Sequence, residues 1–196
     1  MSARIADATT AVERRTATVG AAIVMTGVAI LWARPFVGAG AHARSALFAA
    51  SYAVIALASL AVSVDDARSA SRQSNPAPWL ALAVGVGAVT TVALTGTPVP
   101  MPTTAYAVPL SVLAAVAEEA LFRRVAYARL ARFGPAVAIA GTATVFALVH
   151  LPAYGTAALP VDLGAGVLFG WQRWASGSWA VPATTHALAN ILASVR

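Results

Sequence analysis

The chain has 196 residues, of which 59% are hydrophobic and only 10% charged, a balance that a water-soluble domain of this length could not keep from solvent. Its net charge of +6 comes from arginine alone, because no lysine occurs, and the arginines flank apolar runs, which points to a lipid surface and away from nucleic acid. Cysteine is absent, which excludes disulfides, thiolate nucleophiles and thiolate metal sites.

A membrane span consumes about 20 apolar residues, and seven apolar runs nearly exhaust the chain. In order they cover 17–33, 45–64, 79–94, 104–117 with a continuation past two glutamates to about 130, 135–151, 159–174 and 178–195. Proline, glycine or arginine bounds each run where a helix would stop. The pattern predicts an all-α, polytopic transmembrane bundle of about seven helices. Residues 1–103 would supply about three of them, and 104–196 the C-terminal four.

The first run follows a basic segment with Arg4, Arg14 and Arg15, which raises the question of a signal peptide. The run is longer than a signal core, and the small-residue site Ala41-His42-Ala43 lies too far beyond it, so an uncleaved anchor is expected. Residues 65–78, rich in Ser, Pro, Arg and Asp, form the longest polar connection.

With seven spans and the N-terminus inside, the cytoplasmic segments collect Arg4, Arg14, Arg15, Arg68, Arg72, Arg123, Arg124, Arg129, Arg132 and Arg173. Arg34, Arg44 and Arg196 fall outside. This asymmetry predicts a cytoplasmic N-terminus and an external C-terminus. Trp32, Trp79, Trp171, Trp174 and Trp179 all sit at span ends, where indoles prefer the interface. Gly166 and Gly170 have the GxxxG spacing that lets helix backbones approach, within one bundle or between copies.

The informative residues are the polar ones inside apolar runs. Glu118 and Glu119 follow a long apolar stretch, and a charge at the bilayer centre costs about 2.5–3.5 kcal/mol. Glu119 and Arg123 are four apart with the acid first, the favourable helical pairing, whereas Glu118 is turned about 100° away and lacks that partner. Taken alone, the pair would fit a helix that simply ends among cytoplasmic headgroups. His150, however, closes the fifth run four residues after Phe146, and His186 and Asn190 share one face of the seventh. One shared polar cavity lets these groups satisfy each other, where separate burial in lipid would not.

Such a cluster has the parts of a water-activating peptidase. A carboxylate beside a histidine can take a proton from water and return it to a leaving amine. A second histidine with an asparagine amide can donate to the oxyanion. No serine or threonine stands out as a nucleophile.

The three motifs, Glu118-Glu119-Ala120-Leu121-Phe122-Arg123, Phe146 to His150 and His186 to Asn190, resemble in order and spacing those of the CAAX protease and bacteriocin-processing family, which includes the type II CAAX prenyl endopeptidases. The resemblance covers roughly 104–195. It implies an intramembrane glutamate endopeptidase in which Glu118 and His150 activate water and His186 and Asn190 stabilise the oxyanion. Glu119 and Arg123 would be the supporting ion pair, and Phe146 would shape the cavity. The substrates it allows are prenylated proteins, leader peptides and membrane-protein fragments.

Zinc held by Glu118, His150 and His186 is the competing mechanism. Arg123 disfavours a dication there, and the resemblance implies metal-free chemistry, so no cofactor is expected. The competing class is a scaffold, immunity protein or proton-coupled carrier using the same cluster, although no repeated halves of the carrier kind are visible. His42 is expected to be solvated and Asp162 to lie at the outer interface; the sequence carries no signal of oligomeric state.

Overall fold

The computed structural model describes residues 2–38, 40–64, 78–96 and 106–195, with the side chains of 2–13 outside that description. The side chain of Arg4 and the residues Arg68, Arg72 and Arg196 are therefore not described, nor is the polar connection before Pro78.

Seven helices run through the described residues, as the apolar runs predict. They are α1 (Ser2–Ala33), α2 (Ala41–Ala61), α3 (Pro78–Thr95), α4 (Ala107–Glu119), α5 (Pro135–Tyr154), α6 (Leu159–Ser176) and α7 (Ala180–Ser194). Helix α4 does not stop at its glutamates. It continues through a π-helical segment, Ala120–Ala126, a last α turn, Tyr127–Leu130, and a 3-10 turn, Ala131–Phe133.

Turn chemistry places the breaks. Gly134 has φ 101°, a conformation that side chains resist, and Pro135 then opens α5 with its fixed φ. Gly177 caps α6 in the left-handed region, with φ 67° and ψ 2°.

Four helices are long and apolar enough to cross a bilayer: the segment Arg14–Phe36, and α2, α3 and α5. Of the other three, α4 and α7 are shorter in regular α form, 13 and 15 residues, and α6 carries Asp162, Gln172 and Arg173. The chain is an integral membrane protein, and lipid-facing side chains such as Met25, Leu57, Trp79 and Leu94 are exposed on it.

The core sits where Leu31 of α1, Tyr52 and Ile55 of α2, Leu121 and Phe122 beyond α4, Phe146 and Val149 of α5 and Phe169 of α6 meet. Helix α5 packs along α6, α4 lies against α2 and α7, and α3 leans on α6 and α7. The GxxxG glycines serve this internal packing. A Cβ on Gly166 would lie 2.8 Å from the Ala143 Cα, and one on Gly170 would lie 3.2 Å from the Ile139 Cα. Gln172 ties three helices together by donating to the Ala81 carbonyl at 2.9 Å and the Thr185 hydroxyl at 2.8 Å.

Arg173, expected among the cytoplasmic headgroups, is instead inside the bundle, beside Arg123, which the shared cavity predicts there. Arg123 and Arg173 are buried, and Arg173 donates from Nε to the Arg123 carbonyl at 3.0 Å while lying over the Tyr127 ring. Both complete polar contacts between α6 and the segment after α4, which a count of charges along the chain does not register.

Candidate active site

Glu118 and Glu119 end the regular part of α4, and the π-helical segment that follows widens the turn by about one residue. Two consecutive arginines leave it for different places. Arg124 reaches the C-terminal end of α2 and donates to the carbonyls of Ser59 and Val62, the latter at 3.0 Å. Arg123 goes into the core.

There Arg123 donates from Nη1 to Glu119 Oε1 at 3.1 Å and from Nη2 to the Gly166 carbonyl at 3.0 Å. Gly166 has no side chain to block that approach. The guanidinium carbon lies 5.7, 4.7 and 5.4 Å from the ring centroids of Phe122, Phe146 and Phe169, and aromatic faces attract a desolvated cation. Glu119 Oε1 also accepts from His186 Nδ1 at 3.0 Å. The expected ion pair is thus a three-membered chain, Arg123–Glu119–His186, and both charged members are fully buried.

Glu118 faces a second imidazole. Its Oε2 is 3.6 Å from His150 Nε2. The other ring nitrogen, Nδ1, lies 2.8 Å from the Phe146 carbonyl; a carbonyl can only accept, so Nδ1 carries a proton, and in the neutral form of the ring Nε2 presents its lone pair to Glu118. The His150 ring is held between Phe146, at 4.6 Å, and Tyr154, stacked at 5.7 Å. His186 stacks on Phe169 at 4.9 Å and meets Phe146 edge-on at 5.6 Å. Phe146 therefore touches both imidazoles and the guanidinium.

Of the seven residues singled out from the sequence, the structure gathers six, Glu118, Glu119, Arg123, Phe146, His150 and His186, around the Phe146 ring. Asn190 lies one turn beyond His186 on α7, and its amide donates to the Ser111 carbonyl of α4 at 3.0 Å. That carbonyl is two turns, about 10 Å along the helix, before Glu118, so the bond ties Asn190 to α4 and not to the cluster.

Sequence reasoning missed Arg34, Tyr52 and Tyr154. Arg34, expected at the outer membrane surface, turns inward, and its Nη1 is 3.3 Å from Glu118 Oε1 and bonded to the Tyr52 hydroxyl. The one available signal was Arg34-Pro35, a charge at a forced helix end. Asp162, expected at the outer interface, is half-buried at the start of α6. Its Oδ2 is enclosed with no hydrogen-bond partner among the described residues. His42 is exposed, as expected, and lines a groove of about 490 Å³ with Tyr106, Leu110 and Leu113 that none of the clustered residues borders. Among the described residues no three His, Asp or Glu side chains gather in a metal-binding group.

Fold and site together define a polytopic membrane protein built around an enclosed carboxylate–imidazole centre, the class to which intramembrane hydrolases belong. Residues 100–192 match the family model described as type II CAAX prenyl endopeptidase Rce1-like, and over that segment the chain is similar to that family of membrane proteases. The resemblance read from the three motifs is thereby borne out. No curated protein and no solved structure matched the chain.

Proposed function

We propose that the chain is an intramembrane endopeptidase that cleaves a peptide bond with a water activated by Glu118 and His150. The supporting observation is that pair's geometry. Two acceptors 3.6 Å apart, Glu118 Oε2 and His150 Nε2, leave an apex where one water oxygen can lie about 2.8 Å from each. The water's two hydrogens then point at the two acceptors and its lone pair at the substrate carbonyl carbon. As the C–O bond forms, the water's O–H bond breaks and Glu118 takes the proton; as the C–N bond breaks, that proton passes to the leaving amine.

His186 and Asn190 are the oxyanion donors in this reading. Glu119 accepts from His186 Nδ1, so His186 donates from Nε2 when both nitrogens are protonated, and Glu119 supports that charge. Arg123 and Phe146 hold Glu119 and the imidazoles in place. In this reading the catalytic core is the segment 104–196, and helices α1, α2 and α3 pack against its described residues. A membrane-associated peptide, prenylated or not, is the substrate class that the family match favours.

In this reading the N-terminus is cytoplasmic and the C-terminus external; what supports it is the arginine asymmetry, with Arg129 on the Thr16 carbonyl and Arg124 on the Val62 carbonyl at the end of the bundle that carries Arg14 and Arg15. Labelling of single introduced cysteines from either side of sealed vesicles tests that orientation.

Glu118→Gln keeps the shape and removes the base. Peptide products in membranes carrying the wild type, compared by mass spectrometry with membranes carrying Glu118→Gln, are expected to vanish in the variant while its helical circular dichroism shows that it remains folded. Equal cleavage by both refutes the reading. Activity is expected to persist under strong chelation with no zinc found by metal analysis; loss under chelation that zinc restores would replace the water base with a metal.

A further inference from the structure

We infer that Arg34, delivered by the N-terminal helices, is a positioning residue for the Glu118 centre and that Tyr52 holds it there. The inference rests on the peptidase reading above. Both residues lie outside the segment 100–192 that matches the protease family, so the site is completed by a part of the chain that the match does not reach.

Local structure aims the side chain. Helix α1 stops at Ala33, and Pro35 opens a 3-10 turn, Arg34–Phe36, because proline cannot continue the helical hydrogen bonding. Arg34 is left at the corner with its side chain only 11% exposed. Tyr52, buried on the inner face of α2, accepts from Nη1 and lies with its ring centroid 5.6 Å from the guanidinium carbon. These contacts fix the guanidinium beside Glu118, whose side chain is 3% exposed.

Charge and direction both follow. A carboxylate enclosed among apolar helices needs a counter-charge to stay ionised, and only the ionised form can take a proton from water. Arg123 is engaged by Glu119 and the Gly166 carbonyl, whereas Arg34 bonds Glu118 itself. The two carboxylate oxygens are thereby divided: Oε1 goes to Arg34, and Oε2 is left facing His150. Losing Arg34 frees the carboxylate to rotate away from the imidazole.

The test uses the full-length protein in vesicles and a fluorogenic peptide spanning the cleavage site found by the mass comparison. Arg34→Met is expected to lower kcat about 10²-fold, the scale of a misplaced reacting group. KM should stay within about threefold, since binding the substrate is not Arg34's role. Arg34→Lys should recover about tenfold of the loss, and methylguanidinium should partly restore Arg34→Ala, effects that mere loosening of the fold would not produce. Tyr52→Phe should lower kcat in the same sense and less. Unchanged kcat in Arg34→Met, or a raised KM with kcat held, overturns the inference. So does a loss that neither lysine nor methylguanidinium relieves. If Arg34→Met fails to fold, Tyr52→Phe decides: reduced kcat at constant KM supports the assignment and wild-type kcat overturns it. Full activity in Arg34→Met beside a dead Glu118→Gln sinks this inference alone; activity in Glu118→Gln sinks the peptidase reading.

Discussion

Replacing Glu119 by Gln removes one charge from a pair in which both side chains are fully enclosed. Breaking a buried ion pair by deleting one partner costs about 3–5 kcal/mol, because the remaining charge is left uncompensated. Here the remaining charge is Arg123, which keeps its bond to the Gly166 carbonyl and its three aromatic neighbours. A desolvated cation–π contact offsets up to about 2 kcal/mol. The loss should therefore fall at the low end, about 3 kcal/mol, which for a chain of this size lowers Tm by about 6–12 °C. Arg123→Met removes the other charge and leaves Glu119 with His186 alone. The double variant should then lose less than the two single losses combined, by about 2–3 kcal/mol, since no stranded charge remains. Unfolding in mixed micelles, followed by circular dichroism for the wild type, both single variants and the double variant, gives this coupling directly. Additivity within about 0.5 kcal/mol would mean that the two groups do not interact, and the account of Arg123 as a buried counter-ion would fail.

Gly166→Ala puts a methyl 2.8 Å from the Ala143 Cα and 3.1 Å from its carbonyl oxygen, backbone atoms that cannot rotate aside; forcing α5 and α6 apart should cost about 1–3 kcal/mol in thermal unfolding. Gly170→Ala, whose methyl would meet Ile139 at 3.2 Å, should be milder, and an equal or larger loss there would contradict the packing described. Asn190→Ala should slow cleavage about 10²–10³-fold if the amide is an oxyanion donor. If its one role is the bond to the Ser111 carbonyl, kcat holds and stability alone falls, by about 1 kcal/mol.

The sequence carried most of the architecture because a bilayer makes apolar length decisive: all seven runs become helices, although α1 starts at Ser2, well before the apolar run at 17. It also carried the convergence of Glu118, Glu119, Arg123, His150 and His186, because charges stranded in apolar helices gain by meeting. Contacts made by flanking residues were not legible. Arg34 is 84 residues from Glu118, and as an arginine at the end of an apolar run it looks the same whether it faces headgroups or folds back into the bundle. Arg173 was misplaced for the same reason, since burial against the Arg123 carbonyl and Tyr127 leaves no periodic trace. The link between His186 and Glu119 needed the packing of α7 on α4. The irregular turn after Glu119 has no proline or glycine to mark it.

That turn makes helix phase, and not residue type, the selector between two identical side chains. Deleting Ala120 would let the stretch relax to ordinary α geometry, so everything beyond Ala126 could keep its neighbours, yet Arg124 would now stand four places after Glu119 and take the inner seat. The carbonyls of Ser59 and Val62 would lose their donor, although composition and net charge would barely change. A genetic lesion of one small residue would thus unfasten the end of α2 while leaving every charged and histidine residue of the motifs present.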